Sequence, residues 1–142
     1  MKQFFVLLIL LSTSFKIFAQ DTTYLFINNS KAGQAVYITG QKTNTIDLKI
    51  SSLKALKKLF VKIKGVHVNE SGFNRELQIT GDSLLSISES VSEKGKFDIT
   101  NTKIKQQLQR GKALKLYLIL NPSNPNMMRP SKIIYLCNIK AK

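Results

Sequence analysis

Tryptophan is absent from the 142 residues, histidine and cysteine occur once each, and there are three prolines and eight acidic side chains. Each shortage excludes something. One imidazole, His67, cannot build a multi-histidine metal site, and a zinc ion would need carboxylates besides His67 and the lone thiol Cys137. GxSxG, HExxH and GxxxxGK[ST] do not occur. Glu70, Glu76, Glu89 and Glu93 are read as solvated turn charges, because a catalytic acid needs a burial that turns do not give. No catalytic, cofactor-binding or metal-ligating residue is therefore assigned, and the chain is expected not to be an enzyme. Cys137 has no partner for a disulfide and stands in an apolar run, so it is expected to be a small buried hydrophobe. With no tryptophan platform, carbohydrate stacking would fall to Tyr24, Tyr37, Tyr117 and Tyr135. All four stand in expected strands, and at least two are expected in the core.

Long apolar runs are scarce too. Phe4 to Leu11 is the one uninterrupted run of eight apolar residues, placed behind Lys2 and ahead of Ile17-Phe18-Ala19-Gln20. That is the pattern of a secretory signal peptide over residues 1–19 cleaved after Ala19. A spanning helix needs about 20 apolar residues, and Ser12, Thr13, Ser14 and Lys16 interrupt this one. The remaining residues, 20–142, fit one domain, exported to the periplasm or beyond.

What the chain does have is positive charge. Without Lys2 and Lys16, its 22 basic residues become 20 against 8 acidic ones. Six of those acids (Glu70, Glu76, Asp82, Glu89, Glu93, Asp98) lie between residues 70 and 98, and none follows residue 98. Such a surface attracts anions over a Debye length of about 8 Å at physiological salt. Nucleic acid is not expected, since the destination is outside the cytoplasm and no aromatic-studded motif stands beside the lysines. An acidic protein face, an anionic envelope polymer or an anionic membrane surface remain as partners. Lysines can also simply keep strand edges from pairing.

Alternation of apolar and polar residues with period two dominates residues 20–142 and predicts mainly β structure. Strands are expected at Tyr24–Asn28, Ala35–Thr39, Ile46–Ile50, Glu76–Thr80, Leu84–Ser88, Lys96–Thr100, Leu114–Leu120 and Ile133–Ile139. Four leucines share one face of the Leu114–Leu120 run, which suits a central strand. Ser52 to Gly65 fits two readings. As a helix it gathers Leu53, Leu56, Leu59, Phe60 and Ile63 opposite its five lysines, an amphipathic element suited to an anionic membrane. The other reading, a turn through Lys57 followed by a strand to Val68, is preferred for its β-branched residues. Strict parity then puts His67 on the Leu59 face, whereas a bulge at Gly65 turns it outward. A helix is expected near residues 102–110, capped by Asn101 or Thr102, burying Ile104 and Leu108 and ending at Gly111.

The order of parts in the second half resembles a known family. A strand from Phe60 to Val68 is followed by Asn69-Glu70-Ser71-Gly72-Phe73. Phe97-Asp98-Ile99-Thr100 opens a helix that ends in Leu108-Gln109-Arg110-Gly111-Lys112. Leu116-Tyr117-Leu118 and the Pro130 to Ile139 segment then supply strands. Over residues 48–140 this is similar to the C-terminal periplasmic domain of GldM, the gliding-motility and type IX secretion protein of Bacteroidota, although no Asp-Gly turn follows the Tyr117 strand. The resemblance implies an Ig-like β-sandwich.

The expected whole is an all-β, mainly antiparallel, Ig-like β-sandwich with one short helix. It would act as a non-catalytic interaction module, accessory to an envelope assembly. Its contacts with an anionic, acidic partner would be Lys54, Lys57, Lys58, Lys62, Lys64, Lys103, Lys105, Arg110, Lys112 and Lys115.

Overall fold

The computed structural model describes residues 20–38 and 44–142. The expected signal peptide and Thr39 lie outside them. Within the described residues the period-two runs become nine strands: β1 (Gln20–Ile27), β2 (Ser30–Ile38), β3 (Thr45–Leu48), β4 (Leu59–Gly65), β5 (Phe73–Thr80), β6 (Leu84–Ser88), β7 (Lys96–Asp98), β8 (Leu114–Pro122) and β9 (Lys132–Ala141). Three helices interrupt them: α1 (Ile50–Lys54), α2 (Val66–Asn69) and α3 (Thr102–Gln109).

The strands form a four-stranded sheet, β2-β1-β4-β7, and a five-stranded sheet, β3-β9-β8-β5-β6. All neighbours are antiparallel except β3 and β9. Setting β2 and β3 aside, β1-β4-β7 and β9-β8-β5-β6 have the order of strands A-B-E and G-F-C-C′ in an immunoglobulin sandwich. Strand D has no counterpart among the described residues. The alternation dictates which side chains meet between the sheets. Leu25, Leu59, Val61, Ile63 and Phe97 from one sheet face Leu77, Ile79, Leu116, Leu118 and Leu136 from the other, all buried. β8 lies centrally, and its four leucines are enclosed.

Several local expectations change. The first hairpin is tighter than the loop from Asn29 to Gly33 expected between the strands Tyr24–Asn28 and Ala35–Thr39, because Asn28 and Asn29 adopt positive φ (49° and 70°) and turn the chain in two residues. Ile50 does not continue β3 but opens α1 and is 40 % exposed. The strand after Lys57 stops at Gly65, and Val66 to Asn69 coil into α2. Ser52 to Gly65 is therefore not a cationic amphipathic helix, so a membrane-surface reading loses its element. In β9 the register slips opposite Leu116/Tyr117, so Leu136 and Cys137 are both buried. That bulge leaves Ile133 71 % exposed. Tyr24, Tyr117 and Tyr135 are half-buried on the outer sheet faces, whereas Tyr37, on the inner face of β2 with Ala35, packs partly buried against the core.

α3 follows its expected outline. The Asn101 side chain accepts a hydrogen bond from Lys103 N at 2.8 Å, and Ile104 and Leu108 are buried. Gly111 (φ 71°) lets Gly111 N reach Leu108 O and Lys112 N reach Gln107 O, a Schellman ending.

Candidate binding surface for an anionic partner

The sandwich has two chemically different ends. At the α2 end, β1 begins beside the finish of β4, with Asp21 opposite Gly65. Asp21, whose side chain is 0 % exposed, pairs through Oδ2 with His67 Nδ1 and accepts from His67 N at Oδ1 (3.1 Å). Gly65 makes this approach feasible. A Cβ there would overlap Asp21 Oδ1 and Gln20 O, so only glycine allows β1 to close on the turn. His67 thus neither joins the Leu59 face nor turns freely outward. Its side chain, 21 % exposed, ties α2 to the start of β1, while Val66 is exposed and Val68 buried.

The four glutamates of residues 70–98 are partly buried, less solvated than a turn reading implies. Arg75 organises two of them, donating to Val68 O (2.6 Å) and Glu70 O (2.7 Å) and reaching Glu89 Oε2 (3.4 Å). Glu89 also accepts from Gly95 N. Glu70 pairs with Lys132, and Glu93 bridges Lys62 and Lys96. Glu76 lies within β5 rather than in a turn. Among the described residues no three His, Cys, Asp or Glu side chains gather as a metal centre would require. Cys137 is enclosed, and burial pushes its thiol up to about 12.

The opposite end, around α1 and α3, is where the basic side chains accumulate. Asn28 gathers the approach to β4, donating to Ala55 O and accepting from Lys57 N (2.8 Å) and Lys58 N (3.0 Å). This fixes Lys54, Lys57 and Lys58 beside the first hairpin turn. The start of β4 is then joined to the approach of α3: Leu59 N donates to Thr100 Oγ1 (2.8 Å), and Ile99 N donates to Leu59 O (2.9 Å). Leu56 and Lys105 consequently line one shallow cleft with Thr100, Asn101 and Thr102, about 220 Å³ in volume. Gln107, buried on α3, accepts from Asp82 N (2.9 Å) and draws the β5–β6 turn to the same end. There Lys112 and Lys115 border a second cleft of about 410 Å³ with Asp82.

The structure therefore places Lys54, Lys57, Lys58, Lys103, Lys105, Arg110, Lys112 and Lys115 at one end of the sandwich, Lys105 on the first cleft and Lys112 and Lys115 on the second. Of these, only Lys112 makes an ion pair among the described residues, with Asp82 at 2.6 Å. Asp98 lies near Lys58, and hydrogen bonds from the Thr100 hydroxyl and Thr100 N hold its carboxyl below the usual range.

Lys62 and Lys64 go elsewhere, onto the outer face of β4. There cross-strand pairing builds what the linear sequence conceals. Tyr24 stands opposite Lys62 and Phe26 opposite Phe60. The two phenyl rings stack with centroids 4.7 Å apart and planes 6° from parallel. Lys31 and Lys64 lie over the Tyr24 ring at 4.9 and 5.9 Å, and Lys96 over Phe60 at 4.7 Å. Aromatic rings thus do interleave with lysines, contrary to the expectation from sequence. The cause is the register of β1 on β4, which joins residues some 35 positions apart. Comparison with family models, curated proteins and solved structures finds no match to this chain.

Proposed function

We propose that this chain is a non-catalytic interaction module, exported after loss of residues 1–19, that docks an acidic protein of the cell envelope against the α1–α3 end of its sandwich. The observation that carries the reading is convergence. Two lysine-rich stretches separated by some 40 residues meet at one end, and among the described residues only Lys112 of that set is ion-paired. Unpaired ammonium groups on a rigid frame raise encounter rates with an anionic face and set its orientation, more than they add affinity. An accessory role in an envelope assembly of the gliding or secretion type belongs to the same proposal, and its support is the resemblance in sequence order of parts to the GldM domain.

The test uses an oligoglutamate peptide as a defined acidic probe, titrated by fluorescence anisotropy at low salt. Wild type binds it. Reversing Lys54, Lys57, Lys103 and Lys105 to Glu weakens binding at least about tenfold, and raising the salt weakens wild type in the same sense. Reversing Lys94 and Lys132 at the far end leaves binding within about twofold. Equal loss from both sets would refute a localised surface.

A second reading is favoured by Lys31 and Lys64 flanking Tyr24 on the outer sheet face. An acidic polysaccharide could engage this ring and its two ammonium groups together. Binding of polygalacturonate that Lys31→Glu/Lys64→Glu abolishes, with the oligoglutamate response unchanged, would favour this surface.

A further inference from the structure

Sheet edges offer unpaired backbone groups, and a chain rich in lysine has an easy means of blocking them. β2 carries Lys31 and a register irregularity opposite Leu25/Phe26, β3 carries Asp47, and β7 is three residues long with Lys96 and Asp98. β6 (Leu84-Leu85-Ser86-Ile87-Ser88) is the exception. It is the one strand among the described residues with no charged side chain, it has no proline, and it lies at the outer edge of the five-stranded sheet. Its inward side chains are also incompletely covered. Leu85 and Ile87 pack against the core yet are only partly buried, on the side where the facing sheet ends at short β7. Leu84 is 61 % exposed.

We infer that two copies of this chain pair through antiparallel β6 strands about a twofold axis at Ser86, joining their five-stranded sheets edge to edge. The strand is self-complementary in that register. Leu85 of each copy meets Ile87 of the other on the core side, Leu84 meets Ser88, and Ser86 meets its own copy. A shift of two residues in one direction brings Leu85 opposite Glu89, and in the other it puts Ile87 opposite Ser83, so the central register pairs the apolar residues best. Charge does not oppose the approach. The acids flanking the strand are already paired within each copy, Asp82 with Lys112 and Glu89 with Arg75. A C2 pair of this kind is closed and leaves no free β6 edge.

The contact is one short strand per copy, below the size of a standard stable interface, so the dimer is weak, with Kd on the order of 10–100 μM. Sedimentation equilibrium of the protein across that range and up to about 1 mM tests it. Wild type moves from monomer to dimer mass. Ser86→Lys puts two ammonium groups directly opposite each other at an exposed site, leaves the melting temperature within a few degrees, and stays monomeric throughout. Ser86→Thr keeps the strand neutral and keeps the dimer. A monomeric wild type at 1 mM overturns the inference and leaves the edge to a strand of another polypeptide. A dimer that Ser86→Lys does not weaken overturns it as well, because the interface then lies elsewhere.

Discussion

Thr23 sits on the inner face of β1, fully buried, and its hydroxyl has no hydrogen-bond partner among the described residues. An enclosed hydroxyl without a partner costs about 1–3 kcal/mol of desolvation, and valine has nearly the same shape. Thr23→Val is therefore expected to raise stability by about 1 kcal/mol, read as a melting temperature higher by a few degrees; an unchanged or lower value would mean that the hydroxyl is satisfied. Individual residues were unevenly legible. Cys137 as a buried hydrophobe follows from its apolar neighbours, and the structure encloses it. The Asp21–His67 contact had no sequence signal, since it joins residues 46 positions apart through the closeness that Gly65 permits. A lone glycine at the end of an alternating run was the one available hint.

At the scale of elements, α3 was readable because its boundaries are chemical: a capping asparagine, two leucine-like positions one turn apart, and a glycine at the left-handed exit. Asn101→Ala should cost about 1 kcal/mol of unfolding free energy, and Thr102→Ala less than half of that, both measured by urea denaturation. Equal losses would place the cap one residue later. β6 was readable to its exact ends, as Leu85-Ser86-Ile87-Ser88 alternates after Leu84 and the run stands between two turns. The segment from Ile50 to Asn69 was not. Its hydrophobic pattern satisfies periods of both 3.6 and 2, and tertiary contacts divide it. Leu53 is buried from α1, Leu59, Val61 and Ile63 from β4, and Val68 from α2. The reading of a turn and then a strand held for Leu59 to Gly65 and failed beyond it, where Asp21 captures the backbone of His67. In β9 the bulge at Leu136 shifts a parity that strict alternation would carry through.

Across the whole molecule, the sandwich was legible because period-two runs and turn residues recur along the chain, whereas the placement of charge was not. Acids concentrate in residues 70–98, but where they sit depends on which strands pair. Pairing sends Glu70, Glu89 and Glu93 into ion pairs with Lys132, Arg75, Lys62 and Lys96, and leaves the α1–α3 end mostly uncompensated. The same pairing has a pH signature. Lys62 and then Lys96 hold the Glu93 carboxyl below its ordinary value, and Thr100 does so for Asp98. A carboxyl whose pKa is lower folded than unfolded adds stability above the unfolded value, about 4, and loses it as pH falls through the folded one. Glu93→Gln/Asp98→Asn should thus be less stable than wild type at pH 6, with the difference closing as the pH falls from about 4 through the lowered folded values. A difference that stays constant across that range would mean that these carboxyls titrate alike in both states.

The most direct measurement of the central claim is an amide chemical-shift map of the protein titrated with the oligoglutamate probe. The account predicts that the largest shifts fall in residues 50–58 and 101–115, fade with added salt, and leave α2 and residues 123–131 still. Largest shifts at the α2 end, or shifts spread evenly over both ends, would contradict it.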